Sequence, residues 1–142
     1  MKKRWLLGLG SLLSSALWAA SPVGVWQTFD EDSGEKKSEV EIIELSSGEL
    51  AGKILLLNQK PGALCVECKG SKKDQPIEGM TVIWGLQPDG ENEWTDGEVL
   101  DPANGKTYNL KIELSEDGNT MDLRGYVGVS LLGRTQTWKR IK

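Results

Sequence analysis

Lys106-Thr107-Tyr108-Asn109-Leu110-Lys111-Ile112-Glu113-Leu114-Ser115, then Glu116-Asp117-Gly118-Asn119, then Thr120-Met121-Asp122-Leu123-Arg124-Gly125, is the stretch that decides how this chain folds. Tyr108, Leu110, Ile112 and Leu114 alternate with Thr107, Asn109, Lys111 and Glu113, the period of a strand with one wet face. Asp-Gly between two alternating runs predicts a two-residue hairpin turn, because both turn positions take positive φ. With Asp117-Gly118 as the loop, Leu114 opposes Met121, Ile112 opposes Leu123 and Leu110 opposes Gly125, so the apolar faces of the two strands coincide. A slip of one residue would set leucines against Asp122 and Arg124. Turn chemistry and hydrophobic pattern are independent signals, and they agree on one register.

The same punctuation recurs along the chain at Ser33-Gly34, Ser47-Gly48, Asp89-Gly90 and Asn104-Gly105, each followed by strand-like residues. Most intervals fit one strand and one tight turn, which predicts a meander of hairpins; between Gly48 and Gly90 there is room for an inserted loop around the cysteines. Eight strands are expected near residues 23 to 29, 37 to 46, 49 to 57, 79 to 87, 92 to 100, 106 to 115, 119 to 128 and 133 to 141. In the second, Ile43 and Leu45 fall out of phase with Val40 and Ile42, which suggests a bulge or burial on both faces. In the fourth, Met80, Val82, Trp84 and Leu86 share a face. In the fifth, Trp94 and Val99 both face inward only if Asp96-Gly97 is a bulge. The fold class is therefore all-β, an eight-stranded antiparallel up-and-down barrel, since closure removes the exposed edges of an open meander. A two-sheet sandwich is the alternative. An outer-membrane barrel fits poorly, because the outward positions carry Glu, Lys, Asp and Asn in place of an apolar band.

Ahead of the first strand, Met1-Lys2-Lys3-Arg4 leads into a mostly apolar run from Trp5 to Trp18 and then Ala19-Ala20-Ser21, the layout of a secretory signal peptide. Cleavage is expected after Ala19, with Ala20 second, giving a signal over 1-19 and a single β-barrel domain over 20-142. No cysteine follows the site to take a lipid, and the apolar run is too short to span a bilayer, so the mature chain carries no transmembrane segment and is expected in the periplasm or secreted. Losing three of the 17 basic residues against 21 acidic ones moves the formal charge from −4 to −7. An acidic chain argues against nucleic acid as a partner. The 123 residues left after cleavage suffice for one hydrophobic core. The chain contains no histidine, which removes Ser-His-Asp and Cys-His catalysis and the HExxH zinc site together. No catalytic constellation is recognisable; the chain reads as a non-enzyme with no cofactor and no metal site.

Gly24-Val25-Trp26 opens the first strand, and Arg134 and Arg140 flank Trp138 in the last. A Gly-x-Trp on the first strand with an Arg from the end of the chain over its indole resembles the closure device of the lipocalin and fatty-acid-binding superfamily; either arginine fits. A closer resemblance runs through Gly24-Val25-Trp26, Gly79-Met80-Thr81, Trp84-Gly85-Leu86, Glu93-Trp94, Asp101-Pro102-Ala103-Asn104-Gly105-Lys106-Thr107-Tyr108, Arg124-Gly125-Tyr126 and Leu132-Gly133-Arg134-Thr135-Gln136-Thr137-Trp138. These motifs are similar to those of the small exported bacterial proteins grouped as domain of unknown function 2147. The resemblance implies a lipocalin-like (calycin) barrel, carries over no catalytic residues, and implies that the cysteine pair is not a fixed feature.

Cys65-Val66-Glu67-Cys68 in an exported protein predicts a local disulfide closing a very short loop, worth roughly 2 kcal/mol. A redox-active pair would need a stabilised thiolate, for which Lys69, Lys72 and Lys73 are the nearby cations, and a zinc site would need two further ligands. Asp30-Glu31-Asp32-Ser33-Gly34-Glu35 lacks the EF-hand spacing and reads as a solvated acidic turn. In the last strand Arg134, Gln136, Trp138 and Arg140 share one face. If Trp138 is buried, Arg134 and Gln136 point inward as well, either as a plug at the barrel end or as the polar anchor of a ligand. Trp26, Trp84 and Tyr108 complete the candidate ligand-binding set of Trp26, Trp84, Tyr108, Arg134, Gln136 and Trp138, with core filling as the blander role.

Three functions follow from these observations. The first is a periplasmic barrel binding a small hydrophobic ligand, a largely apolar molecule. The second is an envelope protein-interaction module with a filled barrel and a functional 58-76 loop, which would take an envelope protein partner. The third is a CxxC thiol-disulfide protein. An eight-stranded barrel is at the size where side chains either fill the interior or leave room for one small ligand.

Overall fold

The structure, a computed structural model, describes residues 20–129 and 133–142; the predicted signal segment lies outside the described residues. Eight strands form one closed antiparallel barrel in sequence order: β1 (Gly24–Phe29), β2 (Lys36–Glu44), β3 (Leu50–Leu57), β4 (Thr81–Pro88), β5 (Glu93–Asp101), β6 (Lys106–Leu114), β7 (Thr120–Tyr126) and β8 (Arg134–Arg140). Each boundary lies within two residues of the expected one.

The β6–β7 hairpin has the register that its sequence dictates, with Leu114 opposite Met121, Ile112 opposite Leu123 and Leu110 opposite Gly125. Its turn differs from the expectation. Gly118 alone takes a positive φ, of 75°, and its N–H donates to the Ser115 carbonyl at 2.9 Å, while the Ser115 N–H donates to Thr120. The loop therefore holds four residues instead of two, and because it grows by one residue on each side the register is unchanged. The Asp117 carboxylate accepts the Asn119 N–H at 2.9 Å and the Ser115 hydroxyl at 2.7 Å, and these bonds hold its pKa below the ordinary aspartate value. An aspartate satisfying its own turn in this way does not need left-handed backbone.

Bulges decide which side chains fill the interior. The expected one in β5 is present: the β5–β6 register shifts between Trp94 and Gly97, and Asp96 has a φ of 63°. Facing it, Gly85 in β4 takes a φ of 79°, so Ile83 and Leu86 are both fully buried while Trp84 turns outward beside Glu98. The shared face expected for Met80, Val82, Trp84 and Leu86 is thus corrected. A further irregularity between Glu39 and Val40 puts Ile54 opposite Val40 and Leu56 opposite Glu39, leaving Leu55 extra and turning Leu57 inward beside Ser38. Ile43 and Leu45 carry no bulge and are not buried; they stand 43% and 42% exposed on the outside.

One end of the barrel carries the turns after β2, β4 and β6, the segment before β1 and the C-terminus. From this end to the middle the interior is packed with Trp26, Ile42, Leu50, Ile83, Leu86, Leu110 and Met121, each 2% exposed or less. Toward the other end the inward positions hold Thr28 and Ser38, whose hydroxyls are 2.7 Å apart, and then Leu57, Val99, Tyr108, Gly125 and Gln136, which are only half-buried. Among the described residues this end is the less tightly filled one.

Packing at the double bulge predicts a sensitive site. A Cβ on Gly97 would lie 2.5 Å from Leu86 Cγ and 2.6 Å from its Cδ2, in a place where Leu86 has no room to retreat. Gly97→Ala is expected to cost about 1–3 kcal/mol in chemical denaturation.

Candidate functional site

Alternation along β8 sends Arg134, Gln136 and Trp138 to the inner face, where they oppose Gly125, Leu123 and Met121. Their depths differ. Trp138 is 7% exposed and belongs to the core; Gln136 is half-buried above it; the Arg134 side chain is 78% exposed at the rim. The Trp138 indole N–H donates to Gln136 Oε1 at 3.3 Å, which leaves the Gln136 NH₂ as the group facing the mouth. That NH₂ donates to Glu31 Oε2, and the Glu31 Oε1 lies 3.4 Å from Arg134 Nε. Glu31 reaches this position from the acidic turn after β1. Its neighbour Asp30 caps that turn by accepting the Asp32 and Ser33 N–H groups at 2.9 and 3.0 Å, bonds that hold the Asp30 carboxyl below its usual pKa.

Tyr108 is the inward residue of β6 nearest the mouth, and its hydroxyl accepts from Asn104 Nδ2 at 3.0 Å. It neighbours Val99 across the ladder, with Gly125 on its other side. Tyr108, Val99, Leu57, Gly125, Gln136 and Arg134 are thus the inward residues toward this end, beyond Trp138 and the Thr28–Ser38 pair. Two concavities among the described residues lie on the outside of the barrel. One of about 270 Å³ is lined by Lys111, Glu113, Asp122 and Arg124, and one of about 180 Å³ by Glu41, Ile43, Ala51 and Lys53.

Of the residues proposed from sequence, Tyr108, Gln136 and Arg134 meet at the mouth with Trp138 beneath. Trp84 does not: its indole N–H donates to Glu98 at 2.9 Å on the outer face, with Lys72 Nζ 4.9 Å from its ring. Trp26 lies at the opposite end, fully buried, its N–H donating to the Pro22 carbonyl at 2.8 Å. Arg140 packs over that indole at 4.5 Å and donates to the carbonyls of Gly118 at 2.7 Å, Val23 at 3.0 Å and Ser21. Arg140 is thus the residue that closes the barrel, and Arg134 is left to the mouth. Leu57 and Glu31 are not among the residues the sequence points to, and Val99 is expected there as an inward residue only. Leu57 turns inward only through the bulge in β3, and Glu31 meets Gln136 across 105 residues of chain.

A family model described as "Uncharacterized protein conserved in bacteria (DUF2147)" matches residues 24–140. The chain belongs to the DUF2147 family. No curated protein matches it. Among solved structures, the DUF2147 chain is similar to protein HP1028 of Helicobacter pylori, described as belonging to the lipocalin family. The TM-score is 0.77 at 20% identity over 87% of this chain and 85% of that one, a likeness of fold. The DUF2147 barrel is thus lipocalin-like, as the closure device implied.

Cys65 and Cys68 are joined in a disulfide and are 0% and 3% exposed. The bond lies buried within the loop between β3 and β4 and joins two residues three positions apart. It shapes the loop between β3 and β4 against the β5–β6 turn, where a Cβ on Gly105 would lie 1.9 Å from the Glu67 carbonyl oxygen. No helix among the described residues is long and apolar enough to cross a membrane, and no group of three or more His, Cys, Asp or Glu among them is placed to hold a metal ion.

The two arginines of β8 are expected to behave oppositely. Arg140→Ala removes the hydrogen bonds of a charged donor and a cation–π contact and should cost about 2–4 kcal/mol in urea unfolding. Arg134→Ala, with one exposed ion pair, should cost under about 1 kcal/mol.

Proposed function

We propose that the DUF2147 barrel is an exported, periplasmic protein that binds a small molecule at the open end of the barrel, its apolar part against Leu57, Val99 and Tyr108. The carrying observation is the graded burial of the inner face. From Trp26 to the middle the inward side chains are buried, and at the mouth Leu57, Val99, Tyr108, Gly125 and Gln136 face inward yet remain half-exposed. Apolar surface held open to water inside a rigid rim, beside a few convergent polar groups, is the composition of a small-molecule site. The packed lower half moves the site from a deep central cavity to a shallow cup, and this favours a compact ligand over a long one. Export is supported by the charge and hydropathy pattern of residues 1 to 20 and by a disulfide of the kind that persists in oxidising compartments.

Gly125 gives the test. A Cβ there makes only ordinary contacts, 3.9 Å to the Asn109 oxygen and 3.9 Å to Tyr108 Cβ, so a Cβ is admitted at this position without clash. Gly125→Val should leave stability within about 1 kcal/mol, since a β-branched residue suits a strand. Wild-type protein soaked in a cell extract should carry a bound species in native mass spectrometry, and Gly125→Val should lose it. A wild type that carries nothing overturns the proposal.

A second function, envelope protein interaction, is favoured by Leu64 and Val66, which stand 48% and 54% exposed on the stapled loop. Apolar residues held rigidly in solvent suit a partner protein. Leu64→Ser with Val66→Ser should abolish crosslinking to an envelope partner in intact cells without changing the melting temperature; undiminished crosslinking sinks this alternative.

A further inference from the structure

The outer face of β2 and β3 carries a pattern of residues that is its own complement. Glu41 stands opposite Lys53, and one step toward the closed end Ile43 stands opposite Ala51. One step the other way Leu55, the extra residue of the β3 bulge, lies beside Glu39. Ile43 and Leu55 are 43% and 38% exposed, so an aliphatic residue in solvent sits at each end of one diagonal, with the two charges between them. Among the described residues no ion pair is formed between Glu41 and Lys53. Their side chains instead border the concavity of about 180 Å³ together with Ile43, Ala51 and Thr81.

A two-fold axis through the middle of the Glu41–Lys53 pair, perpendicular to the sheet, lays this face on a second copy of itself. Glu41 then meets Lys53 and Ile43 meets Leu55, and each of these contacts is made twice. Opposite charges face each other and aliphatic side chains face aliphatic ones, as an isologous contact requires. A lipid surface would strip water from Glu41 and Lys53 and supply no partner for either. Further apolar residues widen the patch toward the closed end. Val23, Leu45 and Ile141 are 41%, 42% and 44% exposed; Val23 adjoins the Gly24–Ile42 rung, and the Ile141 N–H donates to the Val25 carbonyl at 2.7 Å, one strand away from Glu41. Neighbouring apolar residues left in solvent mark an interaction surface.

We infer that two copies of this chain associate through the outer faces of β2 and β3 about this axis. Ile43 and Leu55 supply the apolar burial, and Glu41 and Lys53 fix the register, the role in which charges at an interface are most effective. The inference goes beyond the small-molecule function and does not depend on it, since a contact on the side of the barrel leaves both ends free. Two strands from each copy make a small contact, at the weak end of specific interfaces, so the dimer comes apart on dilution.

Sedimentation equilibrium between about 1 μM and about 1 mM protein tests it. Wild type should show a monomer–dimer equilibrium in that range. Glu41→Lys and Lys53→Glu should each weaken dimerisation by about 10- to 100-fold, because each sets like charges against each other twice across the axis. Mixed in equal amounts, the two variants should form a heterodimer of about wild-type affinity, since both contacts are then attractive again. Damage to the fold could not be repaired by mixing, and melting temperatures within a few degrees of wild type should confirm that both variants are folded. Ile43→Ser combined with Leu55→Ser should be monomeric. A wild type that stays monomeric throughout, dimers undiminished in the single charge variants, or variants that mixing does not rescue would each overturn the inference. A monomeric wild type that floats with phosphatidylethanolamine–phosphatidylglycerol vesicles, and no longer does so after Ile43→Ser, would assign the face to a lipid surface and overturn it as well.

Discussion

Arg140 lying over Trp26 is the contact on which the rest of the barrel depends. A meander of eight strands has two free edges, and joining them requires the first and last strands to meet although the whole chain lies between them. Their backbone ladder is short, with two paired positions extended by the bonds between Val25 and the last two residues. One guanidinium adds what the ladder lacks. It is delocalised and weakly hydrated, so it stacks on the indole and still directs its N–H groups at the carbonyls of Ser21, Val23 and Gly118. It thus fastens the N-terminal segment, the β6–β7 turn and the last strand together and covers the end of the core.

With that end sealed, the interior divides into two regimes. In the sealed half large side chains interlock, and the glycines at positions 52 and 97 are the spaces into which Ile83 and Leu86 fit. In the other half the inward residues become smaller or polar, and solvent reaches them. Strand bulges produce the division: each added residue changes which side chain points inward, so Leu57 lines the mouth in place of Leu56, and Trp84 faces Glu98 outside. The site proposed for a small molecule is a consequence of where the barrel stops being filled.

Much of this was legible in the residue order. The strands, the hairpin register and the closed meander follow from alternation and turn residues, because a strand buries every second side chain and a register error would bury charge. The bulge at Asp96-Gly97 was also readable, since Trp94 and Val99 could not otherwise share a face. The bulge at Gly85 was not, because Met80, Val82, Trp84 and Leu86 alternate without a break; only the fit of Leu86 against Gly97 selects the kinked strand. Ile43 and Leu45 depart from expectation for a related reason: exposed aliphatic residues on the outside of a sheet look the same in sequence as buried ones.

By itself the sequence determined the class of fold, the pairing of the strands and the family, since those rest on local periodicity, turn chemistry and specific motifs. The tertiary structure alone decided which arginine closes the barrel and which reaches the mouth, and it alone brought Glu31 to Gln136. Arg134 and Arg140 share one face of one strand and differ only in depth along the barrel axis. Depth is set by how the first and last strands meet, and no local pattern records a contact made between the two ends of the chain.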